Sequence, residues 1–117
     1  MPRLMSVSLT EDAVRERRKT VTRRMGWLTL TPGTRLTLCR KVMGRKPDEP
    51  LVRIADVEVI DVRRERLALI SPEDVEAEGF EDMTPEAFVE FFCGSHKGCT
   101  PDTVVTRIRW RYLDDAQ

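Results

Sequence analysis

Apolar residues in this chain fall into short clusters of changing period, separated by Pro, Gly and polar residues. Leu4, Met5 and Val7 make one short strand at the start. Residues 9–18 then read as a helix. Ser8 or Thr10 can cap it, Glu11 and Asp12 suit its positive N-terminus, and Arg15, Arg17 and Arg18 suit its other end. Residues 20–24 carry β-branched Thr20, Val21 and Thr22 and read as extended. Thr31-Pro32-Gly33-Thr34 is a turn. In residues 35–41, Leu36 and Leu38 alternate with Arg35, Thr37, Cys39 and Lys41, the pattern of a half-buried strand.

A polar hairpin loop over residues 44–50 leads to a long strand over residues 51–62. Its apolar phase slips between Val52/Ile54 and Val57/Val59, and again at Ile60/Val62, which predicts bulges or a strong bend. Ser71-Pro72-Glu73-Asp74 opens a short helix with Ser71 as N-cap and Pro72 at the first position, and Gly79 ends it. Thr84-Pro85-Glu86-Ala87 repeats the device, and Phe88, Phe91 and Phe92 give that helix an apolar face. The last strand covers residues 103–112, with Val104, Ile108, Trp110 and Tyr112 on one face and Arg107, Arg109 and Arg111 on the other. Few elements in this order suit a βαβ crossover. The expected class is α+β: a mostly antiparallel, barrel-like sheet with about three flanking helices, in one domain over residues 1–117.

Composition narrows the function. No run of about 18 apolar residues predicts a membrane span. The three cysteines Cys39, Cys93 and Cys99, with no secretory signal, point to a reducing compartment and a cytoplasmic protein. The formal net charge is zero, but residues 1–46 hold 12 Lys/Arg against 3 Asp/Glu, and residues 47–117 hold 8 against 17. Either the basic half meets an anion or the halves neutralise each other in the fold. Arg outnumbers Lys 16 to 4, which suits phosphate and base recognition and equally a GC-rich genome, as in an actinobacterium or phage.

Three groups of residues are candidates for chemistry. Residues 17–24 join a helix to a strand and hold Arg17, Arg18, Lys19, Arg23 and Arg24 beside the hydroxyls of Thr20 and Thr22. They form either a phosphate-positioning cluster or a solvated basic face. Cys93, His96 and Cys99 have close spacing for soft metal ligands, and Cys39 is a possible fourth; the alternative is a flexible loop with bystander cysteines, so zinc is a secondary expectation. His96, beside Ser95 and Lys97, is also a candidate acid–base or anion contact. Arg107, Arg109 and Arg111 either extend a basic track or pair with Asp56, Glu58 and Asp61 across the sheet, and pairing is the favoured reading. Trp27, next to Gly26, is a stacking platform for a base or a core residue.

Lys19-Thr20-Val21-Thr22-x-Arg24 resembles the signature of the ASCH domain, Gly-x-Lys-Thr-x-(Thr or Glu)-x-Arg. Pro32-Gly33-Thr34-Arg35-Leu36, the helix ending Glu78-Gly79-Phe80, and Thr84-Pro85-Glu86-Ala87-Phe88 followed by Val104-Val105-x-x-Ile108-x-Trp110-x-Tyr112 are similar to later segments of that family. The resemblance implies a PUA-like β-barrel with a cleft between barrel and helices that binds RNA or a modified nucleoside. Small bacterial members remove the acetyl group from acetylcytidine. By motif their catalytic lysine, threonine and glutamate fall on Lys19 as base, Thr22 as nucleophile and Glu78 as acid or orienter. Arg18, Thr20, Arg23, Arg24 and Trp27 would then bind substrate or nucleic acid. The alternative is a non-catalytic RNA-binding module or a ribonuclease using residues 17–24. Two positions depart from the family: its glycine before the signature is Arg17, implying a different entry to the strand if that glycine needs a left-handed backbone, and its usual Asp after the turn glycine is Thr34.

Overall fold

The computed structural model describes residues 3–113. Five strands, β1 (Arg3–Ser6), β2 (Val21–Arg24), β3 (Arg35–Cys39), β4 (Arg53–Arg66) and β5 (Val104–Tyr112), form one curved sheet in the order β1-β3-β4-β5-β2. Among the described residues only the β1–β3 pair is parallel. Three helices, α1 (Glu11–Arg15), α2 (Pro72–Glu78) and α3 (Pro85–Ser95), complete an α+β half-barrel. None of the described helices is long and apolar enough to cross a membrane.

Both phase slips in β4 are ladder irregularities. The β3–β4 register shifts between Leu38 and Cys39, passing over Ile54, and the β4–β5 register shifts between Val59 and Asp61, passing over Ile60. Each shift turns the following side chains over and sharpens the bend, so one 14-residue strand serves both halves of the sheet. The strand outruns its expected end at residue 62 because Arg63 to Arg66 stay in register with β5, despite their charge.

The first helix is shorter than expected. Ser8–Thr10 is a 3-10 turn, and α1 has five residues with no side-chain cap from Thr10. Arg17 then takes φ 60 and turns the chain toward β2. An arginine thus adopts the left-handed conformation that glycine takes without strain. A left-handed non-glycine residue costs about 1–2 kcal/mol. The Arg17 guanidinium lies over the Tyr112 ring, 5.4 Å from its centroid. The other two helices begin, and α2 ends, as their sequences predict. Ser71 and Thr84 accept hydrogen bonds from Asp74 N and Ala87 N, and Gly79 closes α2 with φ 109.

One core lies within the curve of the sheet and contains Met5, Val7, Val14, Leu30, Leu36, Leu38, Val57, Val59, Ile108 and Trp110. A second, of Leu67, Ile70, Val75, Phe88, Phe92 and Val105, joins α2 and α3 to the sheet. Burying each such side chain contributes about 1.5–3 kcal/mol. The expected pairing across β4 and β5 occurs at Arg111–Glu58 (2.6 Å) and Arg107–Asp61 (3.3 Å), while Asp56 accepts from the Thr37 hydroxyl at 2.7 Å instead. Three side chains on β5 depart from the simple two-face pattern: Val104 is exposed, and Val105 and Arg107 are buried on the arginine face, where Val75 and Asp74 of α2 pack against them.

Candidate functional site

The site is built around the entry to β2. Lys19 O accepts hydrogen bonds from Trp110 Nε1 and Tyr112 Oη, Thr20 O accepts from Trp110 N, and Thr20 N donates to Ala77 O of α2. The backbone of Lys19 is thus fixed to β5 on one side and α2 on the other. Its side chain is 2% exposed. Lys19 Nζ donates to Glu78 O at 2.8 Å and to Glu78 Oε1 at 3.0 Å.

Glu78 is the last residue of α2, so its carbonyl is one of the acceptors a helix end leaves open, and the ammonium also meets the negative end of the helix. Gly79 makes this arrangement possible. A Cβ there would lie 2.9 Å from Ala13 Cβ, so only glycine lets α2 end against α1.

Behind Glu78 lies a layer of buried ions. Arg23 Nη1 is 3.4 Å from Glu78 Oε2, and Arg23 Nη2 donates to Asp74 Oδ2 (2.6 Å) and Glu65 Oε2 (2.8 Å). Arg107 grips Asp74 through Nε (2.7 Å) and Nη2 (3.2 Å). Burial alone would raise the Asp74 carboxyl, but the hydrogen bonds from Arg107 and Arg23 outweigh it and hold the pKa at about 2. Burial pushes the Lys19 ammonium below the ordinary lysine value, the neighbouring Arg24 and Arg23 add to this, and Glu78 opposes it.

Thr22 is 3% exposed, and its hydroxyl oxygen accepts from Arg24 Nε at 3.1 Å. Arg24 Nη2 donates to Ser6 O at 2.7 Å, so this guanidinium links the two edge strands, β2 and β1, across the open side of the half-barrel. Burial lowers its pKa, although an arginine stays charged.

These groups form the floor of a cavity of about 290 Å³. Lys19, Thr22, Arg23, Arg24 and Glu78 line it on one side, residues 6–10 on another, and Phe80, Phe88, Phe91, Phe92 and His96 form an aromatic wall. The rings pack on one another with centroids 5.5–6.1 Å apart for Phe80–Phe91, Phe80–Phe88 and Phe88–Phe92, and His96 stacks on Phe92 at 4.1 Å. Charged donors facing an aromatic wall suit a ligand with a polar edge and an apolar face.

Lys19, Thr22, Glu78, Arg23 and Arg24 therefore meet at one cavity, which His96, the candidate acid–base residue, also lines, while Arg18, Thr20, Trp27 and the cysteines lie elsewhere. Arg18 is on the surface, paired with Glu16 (2.6 Å) and Glu81 (2.9 Å), and lines a separate shallow depression with Thr20. Trp27 is half-buried against the main core with the Arg3 guanidinium 4.4 Å from its ring centroid, away from the cavity. The zinc set does not assemble: Cys39 is buried in β3, His96 Nδ1 lies 2.8 Å from Phe92 O, and no group of three His, Cys, Asp or Glu suited to a metal occurs among the described residues. The phenylalanines of the wall are the part that sequence reasoning did not assign to the site. Phe88, Phe91 and Phe92 have helical spacing in α3, which fixes an apolar face but not what that face borders.

No protein-family model matches this sequence, and no curated protein matches it. Solved structures match the fold, among them the following two. A DUF984-family protein from Enterococcus faecalis V583 aligns over 97% of this chain and 81% of its own, with 16% identity and a TM-score of 0.70. The ASCH domain from Lactobacillus crispatus JV V101 aligns over 89% of this chain and 70% of its own, with 15% identity and a TM-score of 0.64. At these identities the likeness is one of architecture: the chain has the fold of an ASCH domain, the family its motifs resemble.

Proposed function

We propose that the protein hydrolyses the amide joining a small acyl group to the exocyclic nitrogen of a cytosine nucleoside. The observation that carries this reading is the convergence of a buried lysine on a carboxylate, beside a threonine hydroxyl held by an arginine, in one aromatic-walled cavity. The base stacks on the wall. Lys19, in its neutral form, takes the proton of Thr22, and the alkoxide attacks the acyl carbon. Arg24 supplies positive charge where the carbonyl oxygen becomes an oxyanion. The C–N bond breaks, the leaving nitrogen takes the proton from Lys19, and the acyl group remains as an ester on Thr22. Water, deprotonated by Lys19, then cleaves the ester and restores the threonine. Glu78 orients Lys19 throughout and stabilises its ammonium form.

A nucleoside is favoured over a long RNA because the basic segment is already neutralised. Arg18 pairs with two carboxylates, and Arg23 is buried against three. Few of its charges remain for a phosphate track. The test is hydrolysis of acetylcytidine by the pure protein beside Lys19→Ala. Turnover that disappears in the variant supports the reading. No turnover by folded wild type, together with RNA affinity that falls steeply with salt, would replace it with the binding module.

A further inference from the structure

One pair of reactive side chains has no part in this chemistry. Cys93 and Cys99 are free thiols, half-buried, with their sulfurs 3.1 Å apart. Two sulfurs in ordinary van der Waals contact lie farther apart than this, and a disulfide needs them to close to about 2.05 Å. The backbone holds them close: His96 N donates to Cys93 O and Cys99 N donates to His96 O, and Gly98 turns the chain with φ 79. The segment they bracket carries Ser95 and His96, which both line the cavity.

We propose that Cys93 and Cys99 are a reversible thiol–disulfide pair, oxidised by a low-molecular-weight disulfide such as glutathione disulfide, whose closed form fixes segment 94–98 against the cavity. The exchange needs no other oxidant. The Cys99 thiolate attacks glutathione disulfide and releases one glutathione. The Cys93 thiolate then attacks Cys99 Sγ, releases the second glutathione, and leaves the two cysteines joined, with their two protons taken up by the two released glutathione thiolates. The order follows from the surroundings of Cys93, whose thiol is pushed up to about 11, first by burial and then by its contact with Cys99. Cys39 is an internal control, since it is fully buried in β3 with its thiol donating to Thr37 O.

The test is to equilibrate the full chain with mixtures of reduced and oxidised glutathione, trap free thiols by alkylation, and measure mass. Trypsin cleaves after Lys97, so a Cys93–Cys99 bond holds two separate peptides together. The expected result is loss of two hydrogens per chain, that linked pair, Cys39 left reduced, and reversal by reduced glutathione. Cys93→Ser should trap glutathione on Cys99, and amide exchange in residues 94–98 should slow at least roughly tenfold on oxidation of the wild type. Thiols that survive in the oxidised mixture, stable glutathione adducts on the wild type, or unchanged exchange in the bridged form would overturn the proposal.

Discussion

Two buried regions of this protein use opposite materials. Within the curve of the sheet, Leu36, Leu38, Val57, Val59, Ile108 and Trp110 form an apolar core with nothing to neutralise. On the helix side, β2, β4, β5 and α2 bury Lys19, Arg23 and Arg107 against Glu65, Asp74 and Glu78. The first region supplies net stability at about 25 cal/mol per Å² of apolar surface removed from water. The second contributes little net, because desolvating ions offsets most of their attraction, and apolar residues of similar volume would serve the fold as well or better. Arg23 Nε even stays buried without a hydrogen-bond partner among the described residues. Ions retained at a joint that hydrocarbon could fill, directly beneath a cavity, are best explained by what they do there.

The largest effect should come from the apolar side. Trp110→Ala removes a nearly fully buried ring and the indole bond to Lys19 O, and should lower unfolding free energy by about 3–5 kcal/mol in denaturant titration. A smaller effect belongs to the ionic layer and depends on pH. The folded pKa of Asp74 lies below its ordinary value of 3.8, at about 2, so its contribution is present above pH 4 and is lost as pH falls through the folded value. That contribution is about 2 kcal/mol, so Asp74→Asn should be weakened by this amount at neutral pH and show a flatter stability profile between pH 4 and 2. The smallest effect should be at the left-handed turn. Arg17→Gly should stay within about 1 kcal/mol of wild type, since relief of backbone strain opposes the loss of the side chain's contacts, the one over Tyr112 among them. Arg17→Ile, which loses the contact without relief, should fall by about 1–2 kcal/mol.

The same contrast explains what the sequence made legible. Local chemistry was readable: Ser71 and Thr84 cap because their hydroxyls reach an amide three residues on, Gly79 ends α2, and each phase slip in β4 marks a bulge. Lys19, Thr22 and Glu78 were identified through a motif resemblance, and the structure lines one cavity with them. Residues whose setting depends on distant partners were harder to place. Arg23 looks like a surface charge in sequence, yet it is buried by carboxylates 42, 51 and 55 positions away. Arg63 to Arg66 look unlike a strand and are held in one by β5. Trp27 is open in sequence between a stacking platform and a core residue, and packing against the main core decides for the latter.

The most direct test of functional ions replaces the pair itself. Lys19→Met/Glu78→Leu should keep stability within about 1 kcal/mol of wild type, because an apolar pair takes the place of a buried salt bridge and Arg23 retains Glu65 and Asp74. Acetylcytidine hydrolysis measured on that folded variant beside wild type is the deciding measurement. Turnover by wild type and none by the variant is the predicted result; equal turnover by the two proteins would contradict it.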